Sequence, residues 1–125
     1  RYYPYKEIAG HIIGYVNKIN KKDIENDKDT KYYTTIGKSG LEKFYDKKLR
    51  GKLGYKDIKV NSLYQEVKVL KEYLPQENND ITTTIDIRLQ KYIHKLMDKK
   101  AGAVIVMNVK NGEILSAGSF PEFDN

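Results

Sequence analysis

The chain contains no cysteine and no tryptophan, and only three of its 125 residues are proline. Without cysteine it can form neither a disulfide framework nor a thiolate metal site. The absence of cysteine is compatible with both reducing and oxidising compartments. No apolar run reaches the roughly 18 residues that a membrane-spanning helix needs, and residues 1–7 lack the pattern of a signal peptide. Hydrophobic residues make up 39% of the chain and charged residues 32%, which excludes both a disordered tail and a membrane protein. The segment itself is predicted to be soluble.

Arginine is also scarce, since it supplies only three of the 23 basic residues behind the formal net charge of +6. Specific nucleic-acid interfaces rely on arginine forks and aromatic stacking platforms, and the sequence has no motif of either kind. The lysines are scattered along the chain, with one dense cluster over residues 47–52. This distribution favours a solvated lysine-rich surface, and a nucleic-acid-binding module remains the alternative function.

Recognisable catalytic motifs are absent from the sequence as well. Lys38-Ser39-Gly40 superficially matches a Lys-Ser/Thr-Gly box of acyl-enzyme serine hydrolases, but we expect Ser39 to cap a helix. His11 lies in an apolar stretch typical of a structural histidine, and His94 is expected on the polar side of its helix. The sequence has no Ser-x-x-Lys nucleophile motif, phosphate-binding loop or credible metal-ligand cluster. We therefore predict no catalytic, cofactor-binding or metal-binding residue in this chain, and no cofactor.

The clearest helix prediction covers residues 37–51. Ser39 and Glu42 have the spacing of a capping box, and Gly51 is a typical C-terminal stop. One helix of about three turns is expected, and its apolar face would carry Leu41, Phe44, Tyr45 and Leu49.

A second unit begins at residues 80–86, where Ile and Thr alternate with the period of a half-buried strand. Asp86 is then expected to cap an amphipathic helix. Its apolar positions would be Leu89, Tyr92, Ile93, Leu96 and Met97.

The last element is a hairpin over residues 101–120. Asn111-Gly112 between two apolar runs predicts a two-residue type I′ turn, since both central residues of that turn have positive φ. The run 101–107 is apolar enough to be buried on both faces inside a larger sheet. We therefore expect the isolated chain to self-associate through residues 101–120, or to be part of a longer protein.

The middle of the chain is less distinctive. Residues 55–60 and 66–70 alternate like two strands, and residues 21–33 resemble a loop with a short helical turn. The polar residues 76–80, which follow Pro75, are the best candidate linker.

Four motifs in a fixed order carry a family resemblance that covers nearly the whole chain. They are Arg-Tyr-Tyr-Pro at residues 1–4 with Ala-Gly-His-Ile-Ile-Gly-Tyr-Val at 9–16, residues 36–45 with 49–54, Thr-Ile-Asp-Ile-Arg-Leu-Gln at 84–90, and the terminal hairpin with Ser-Phe-Pro-Glu-Phe-Asp-Asn at 119–125. Their order and spacing resemble class B penicillin-binding proteins, most of all the elongation-type penicillin-binding protein 2.

The resemblance implies an α+β fold, with a portion of the pedestal or dimerisation domain at residues 1–75 and a linker at 76–80. Residues 81–125 would then supply the first helix and the β-hairpin of a transpeptidase domain. The parent protein would be anchored in the bacterial inner membrane, face the periplasm and cross-link peptidoglycan through an acyl-enzyme serine. The serine, and with it the binding of peptidoglycan and β-lactams, would lie outside this chain, which should be inactive alone.

The same resemblance implies that this part positions the catalytic domain and docks elongation partners, namely an MreC-type scaffold and a RodA-type glycosyltransferase. Besides the nucleic-acid alternative, a complete small enzyme of unknown type is the third hypothesis, and the absence of motifs makes it the weakest.

Overall fold

The computed structural model of the chain describes residues 2–122 and confirms a mixed α+β fold. Its elements are, in chain order, α1 Gly10–Ile13, β1 Val16–Lys18, α2 Lys21–Asn26, a 3-10 helix Lys28–Tyr32, β2 Thr35–Gly37, α3 Gly40–Phe44, α4 Asp46–Arg50, β3 Tyr55–Val60, β4 Glu66–Tyr73, α5 Ile87–Leu96, β5 Gly102–Met107 and β6 Ile114–Phe120. In the described part of the chain, no helix has the length and apolarity needed to cross a membrane.

The chain forms two compact units. The first combines Arg1–Asp46 with Thr82–Asn125, and the second is Lys47–Ile81. The first unit contains the antiparallel pair β1–β2 and the antiparallel hairpin β5–β6, on which α5 packs. The second contains the antiparallel hairpin β3–β4.

The predicted single helix over residues 37–51 is wrong, because the chain breaks at Tyr45 into α3 and α4. Asp46 accepts a hydrogen bond from the backbone N–H of Gly37 at 2.9 Å, so the start of α4 is tied to β2. The capping box is also absent, since the Ser39 side chain makes no cap hydrogen bond although it occupies the N-cap position. The next residue, Gly40, has a φ of +56°, and this left-handed entry changes the direction of the N–H groups that a cap would bind.

Residues 21–32 are more helical than the sequence suggested. Asn20 caps α2 in a reciprocal box, in which its side chain accepts from Asp23 N at 3.0 Å and its own N–H donates to the Asp23 carboxylate at 2.8 Å. Asp23 also forms a salt bridge with Lys38. The box satisfies two N–H donors at the start of the helix at once. This explains why residues 21–26 form a helix, where the sequence predicted a loop containing one short helical turn.

The expected strand over residues 80–86 does not form. Among the described residues, this segment meets β6 through one backbone bond, from Asp86 N to Leu115 O at 2.8 Å, and through the Thr84 hydroxyl, which donates to Ile114 O at 2.6 Å. The predicted cap of α5 is confirmed, because Asp86 accepts from the N–H groups of Arg88 and Leu89. These contacts attach the segment before α5 to the first residues of β6, although the segment forms no strand ladder with β6.

The buried face of α5 differs from the predicted stripe. Ile93 is buried as expected, but Tyr92 is 59% exposed and Leu96 is 51% exposed. Gln90, which the apolar pattern left out, is fully buried. The helix is therefore rotated so that a polar side chain faces β6.

The hairpin β5–β6 is confirmed, but its turn is not the predicted type I′ turn. The loop is closed by Asn108 N to Glu113 O and by Gly112 N to Asn108 O, both at 2.8 Å, and Gly112 has positive φ whereas Asn111 does not. The side chains of both asparagines accept backbone N–H groups two residues on, so local Asx turns replace the tight turn.

The expectation that residues 101–107 are buried on both faces is also wrong for this chain. Its sheet has two strands, and Ile105 in β5 is 69% exposed. Along β5, Val104 and Val106 are half-buried while their neighbours are exposed, as an antiparallel hairpin with one open face allows.

The hairpin β3–β4 confirms the two predicted central strands. Two register shifts interrupt the ladder, and the rings of Tyr55 and Tyr73 stack at 4.4 Å between centroids. Asn61 organises the turn by accepting the N–H groups of Leu63 and Gln65. All residues of both strands are exposed.

Acid stability should depend on the cap of α5. Hydrogen bonds from Arg88 and from the backbone hold the pKa of Asp86 below its usual 3.8. A lowered folded-state pKa means that the carboxylate adds stability above the unfolded pKa, and that this stability is lost as pH falls through the folded value. We expect Asp86→Asn, which keeps the acceptor oxygen, to flatten the loss of helical circular dichroism as pH falls below about 4. Asp98→Asn, beyond the end of α5, should lose helical circular dichroism with falling pH as the wild type does. The same pH dependence in Asp86→Asn would contradict the prediction.

Two glycine substitutions should differ in their effect on stability. Gly14 and Gly112 have nearly the same φ, +75° and +77°, but a Cβ on Gly14 would lie 2.0 Å from Ser39 O, whereas nothing lies within 4 Å of one on Gly112. Gly112→Ala should lower the free energy of unfolding by about 1–2 kcal/mol, the left-handed penalty alone. Gly14→Ala should cost about 1–3 kcal/mol more, because the Gly14 ψ of −161° lies in a region that residues with a Cβ avoid and because the backbone must move apart. Urea denaturation measures both losses of stability. Equal losses would contradict the close contact between the backbones at Gly14 and Ser39.

Candidate functional site

The described apolar core of the first unit is small and surrounds a cluster of polar side chains. The buried apolar residues are Ala9, Ile93 and Phe120, and they come from three separate segments of the chain. Polar side chains of α5 and of residues 116–122 bond to one another and to the Ala9 backbone. We call the set formed by Gln90, His94, Ser116 and Glu122 with the backbone of Ala9 the polar junction.

Gln90 fixes α5 to β6. Its side-chain N–H donates to Ala117 O at 2.8 Å, and its Oε1 accepts from Ser116 Oγ at 2.5 Å and from Ala117 N at 3.2 Å. Gln90 and Ser116 are both fully buried. Burial of these groups is tolerated because each one has a partner of the opposite kind.

Glu122 ties the N-terminal segment to the same place. Its side chain has no exposed surface, and its Oε1 accepts from the Ala9 backbone N–H at 3.1 Å and from the Gln90 side chain at 3.4 Å. The second oxygen lies 2.6 Å from Nδ1 of His94. A carboxylate without contact to water requires such donors, because an unpaired buried charge is strongly destabilising.

His94 links the junction to a second acidic group. Its other ring nitrogen, Nε2, lies 3.9 Å from the Glu7 carboxylate, and its ring is 6.3 Å from the ring of Phe120. The imidazole therefore lies between two carboxylates, one buried and one partly exposed. The expectation that His94 belongs to the polar side of α5 missed this position, since the side chain is half-buried against the end of β6.

The backbone of Ala9 adopts a conformation that suits this contact. Ala9 has a φ of +64°, is 2% exposed and precedes the first residue of α1. Such a conformation is uncommon for a residue with a Cβ and persists where surrounding contacts determine it. The bond from Ala9 N to Glu122 is one of these contacts.

The other residues considered from the sequence lie away from the junction. Ser39 occupies the N-cap position of α3, and among residues 2–122 its buried hydroxyl has no hydrogen-bond partner. His11 lies on α1 with an exposed side chain. Across the part of the chain that the structure describes, no group of three or more acidic, histidine or cysteine side chains is placed to hold a metal ion.

Sequence reasoning missed both central members of the polar junction. Gln90 has the i, i+3, i+7 spacing with Ile93 and Met97 that would place it on a shared helix face, but its polarity removed it from the apolar pattern. Glu122 follows Pro121 in a segment with no periodicity, so the pattern offered no indication of its burial.

A second candidate surface is the hairpin β3–β4 in the other unit. It carries many large apolar side chains with 39% or more of their surface exposed. They are Tyr55, Ile58, Val60, Leu63, Tyr64, Val67, Val69, Leu70 and Tyr73. Such a concentration of exposed apolar side chains makes this hairpin a candidate protein interaction surface.

Truncating Gln90 should test how much the junction contributes to stability. In Gln90→Ala, the Ser116 hydroxyl and the Ala117 backbone groups lose their partners while still buried. We expect the free energy of unfolding to fall by about 2–4 kcal/mol, the cost of such unsatisfied groups. Lys95→Ala on the exposed side of α5 should change it by less than about 0.5 kcal/mol. Chemical denaturation measures both, and a loss below 1 kcal/mol in Gln90→Ala would mean that the network is replaced by water at little cost.

Comparison with known proteins agrees with this fold. The family model of the penicillin-binding protein dimerisation domain matches residues 1–83. Over 99% of its length the chain is 42% identical to the peptidoglycan D,D-transpeptidase MrdA of Escherichia coli K12, and over 100% it is 37% identical to that of Haemophilus influenzae. The chain spans 20% of each of these relatives.

Solved structures match over almost the whole chain. The complex between penicillin-binding protein 2 and MreC from Helicobacter pylori has a TM-score of 0.87 and 45% identity, covering 98% of this chain and 23% of that one. Penicillin-binding protein 2 of Pseudomonas aeruginosa, in complex with WCK 5153, has a TM-score of 0.75 and 30% identity over 98% of this chain and 24% of that one. The resemblance inferred from the sequence motifs is confirmed, and the chain belongs to the family of penicillin-binding protein dimerisation domains.

Proposed function

We propose that this chain is the non-catalytic pedestal portion of a bacterial transpeptidase that cross-links peptidoglycan during cell elongation. In this role it positions the catalytic domain and docks an MreC-type scaffold. The observation that carries the proposal is the similarity, at a TM-score of 0.87 over 98% of the chain, to penicillin-binding protein 2 in a complex with MreC. The relatives named D,D-transpeptidase supply the reaction class.

The proposed domain division places the pedestal at residues 1–75, the linker at 76–80 and the opening of the transpeptidase domain at 81–125. The end of the dimerisation-domain match at residue 83 supports a boundary near this point. The polar junction supports the positioning role, because Ala9 lies inside the matched region and its partner Glu122 lies beyond it.

The absence of a Ser-x-x-Lys motif in the sequence supports a non-catalytic role for this chain. The serine that forms the acyl-enzyme would belong to a part of the parent protein that this chain does not include. Inner-membrane anchoring, a periplasmic position and a RodA-type glycosyltransferase partner rest on the family resemblance, and they complete the proposal.

Fluorescent-penicillin labelling tests the division of roles. The full-length parent should become labelled and this chain should not, because the nucleophile lies elsewhere. In parallel, the periplasmic part of the MreC-type scaffold from the same organism should bind both proteins in a titration followed by light scattering or calorimetry. Acylation of this chain would overturn its non-catalytic assignment, and scaffold binding by neither protein would overturn the docking role.

A further inference from the structure

We propose that Glu122 is a positioning residue that couples the pedestal to the opening of the catalytic domain. Its buried carboxylate holds the N-terminal segment around Ala9 against α5 and the end of β6. The inference rests on the proposed function and names the residue through which the positioning acts.

The partners of Glu122 lie in two distant parts of the chain. Ala9 and Glu122 are 113 residues apart in the chain, and one lies inside the dimerisation-domain match while the other lies beyond it. Gln90 and His94, the remaining partners of the carboxylate, lie on α5, also beyond the match. A single carboxylate thus contacts both sides of the proposed domain boundary.

Separating these partners while Glu122 stays buried is unfavourable. The side chain has no exposed surface, and its two oxygens receive all three donors named above. If the Ala9 segment moved away, the carboxylate would lose a charge-assisted bond and remain desolvated. The buried carboxylate therefore opposes motion of the Ala9 segment relative to α5 more strongly than an apolar contact of the same area would, because apolar surfaces can slide past each other.

Two further contacts between the N-terminal segment and α5 are weaker. The Glu7 carboxylate meets His94 Nε2 at 3.9 Å, a long and partly exposed contact, and Lys91 lies over the ring of Tyr5 at 4.2 Å. Exposed ion pairs of this type contribute little. Glu122 is thus a fully buried polar contact between this segment and α5, and its removal should loosen the segment.

The experiment uses the full-length protein and three variants. Glu122→Ala removes the acceptor, Glu122→Gln keeps one oxygen that can accept from Ala9 N, and Glu113→Ala changes an exposed glutamate on the loop of the same hairpin. Hydrogen exchange measured by mass spectrometry reports on the peptide covering residues 7–14. Acylation by a fluorescent penicillin, resolved into its apparent affinity and its maximal rate constant, reports on the catalytic domain.

We expect Glu122→Ala to raise exchange of residues 7–14 at least tenfold and to lower the maximal acylation rate several-fold, with the apparent affinity for the penicillin unchanged. Glu122→Gln should restore most of both quantities, and Glu113→Ala should match wild type. Should Glu122→Ala fail to fold, His94→Ala removes one partner of the carboxylate and should give the same changes in smaller size.

Wild-type exchange and acylation in the folded Glu122→Ala protein would overturn the proposal, as would faster exchange with no change in acylation. These failures differ from failure of the proposed function, in which the wild-type protein itself would neither label with penicillin nor bind the scaffold.

Discussion

The structure of the first unit depends on the burial of one amide and one carboxylate, Gln90 and Glu122, in a space bounded by three segments that are distant in sequence. Neither group can leave water unless its partners are present at the same time. The amide requires the hydroxyl of Ser116 and the backbone of Ala117, and the carboxylate requires Ala9 N and His94. The relative positions of α1, α5 and β6 are therefore set together.

This constraint matters because fully buried apolar side chains are few in the described part of the chain. Among residues 2–122, only Ala9, Ile93 and Phe120 are buried apolar side chains, and many larger ones are exposed. An apolar contact tolerates small displacements, whereas a satisfied network of buried hydrogen bonds has few alternative arrangements. The polar junction thus supplies geometric specificity, which is the property a pedestal needs if it is to position another domain.

Local rules predicted the elements whose causes are local. The α5 cap at Asp86 and the strands of both hairpins follow from sequence patterns of a few residues, and they appear in the structure. The family resemblance likewise followed from motif order. Predictions failed where a distant or competing contact decided the outcome, as at Asp46, which bonds to Gly37 and helps to divide the expected helix, and at Asn108, whose side chain reorganised the hairpin turn. The junction itself could not be predicted, since nothing in the sequence around Glu122 indicates a partner 113 residues away.

The central claim is that the N-terminal segment and the α5–β6 pair open as one cooperative unit. Residue-resolved amide exchange under native conditions tests it through two amides bonded to the junction, Ala9 N–H on Glu122 and Ala117 N–H on Gln90. The account predicts the same opening free energy for both amides and the same dependence on low concentrations of denaturant. An Ala9 amide that exchanges through a local opening of much lower free energy, while Ala117 stays protected, would contradict it.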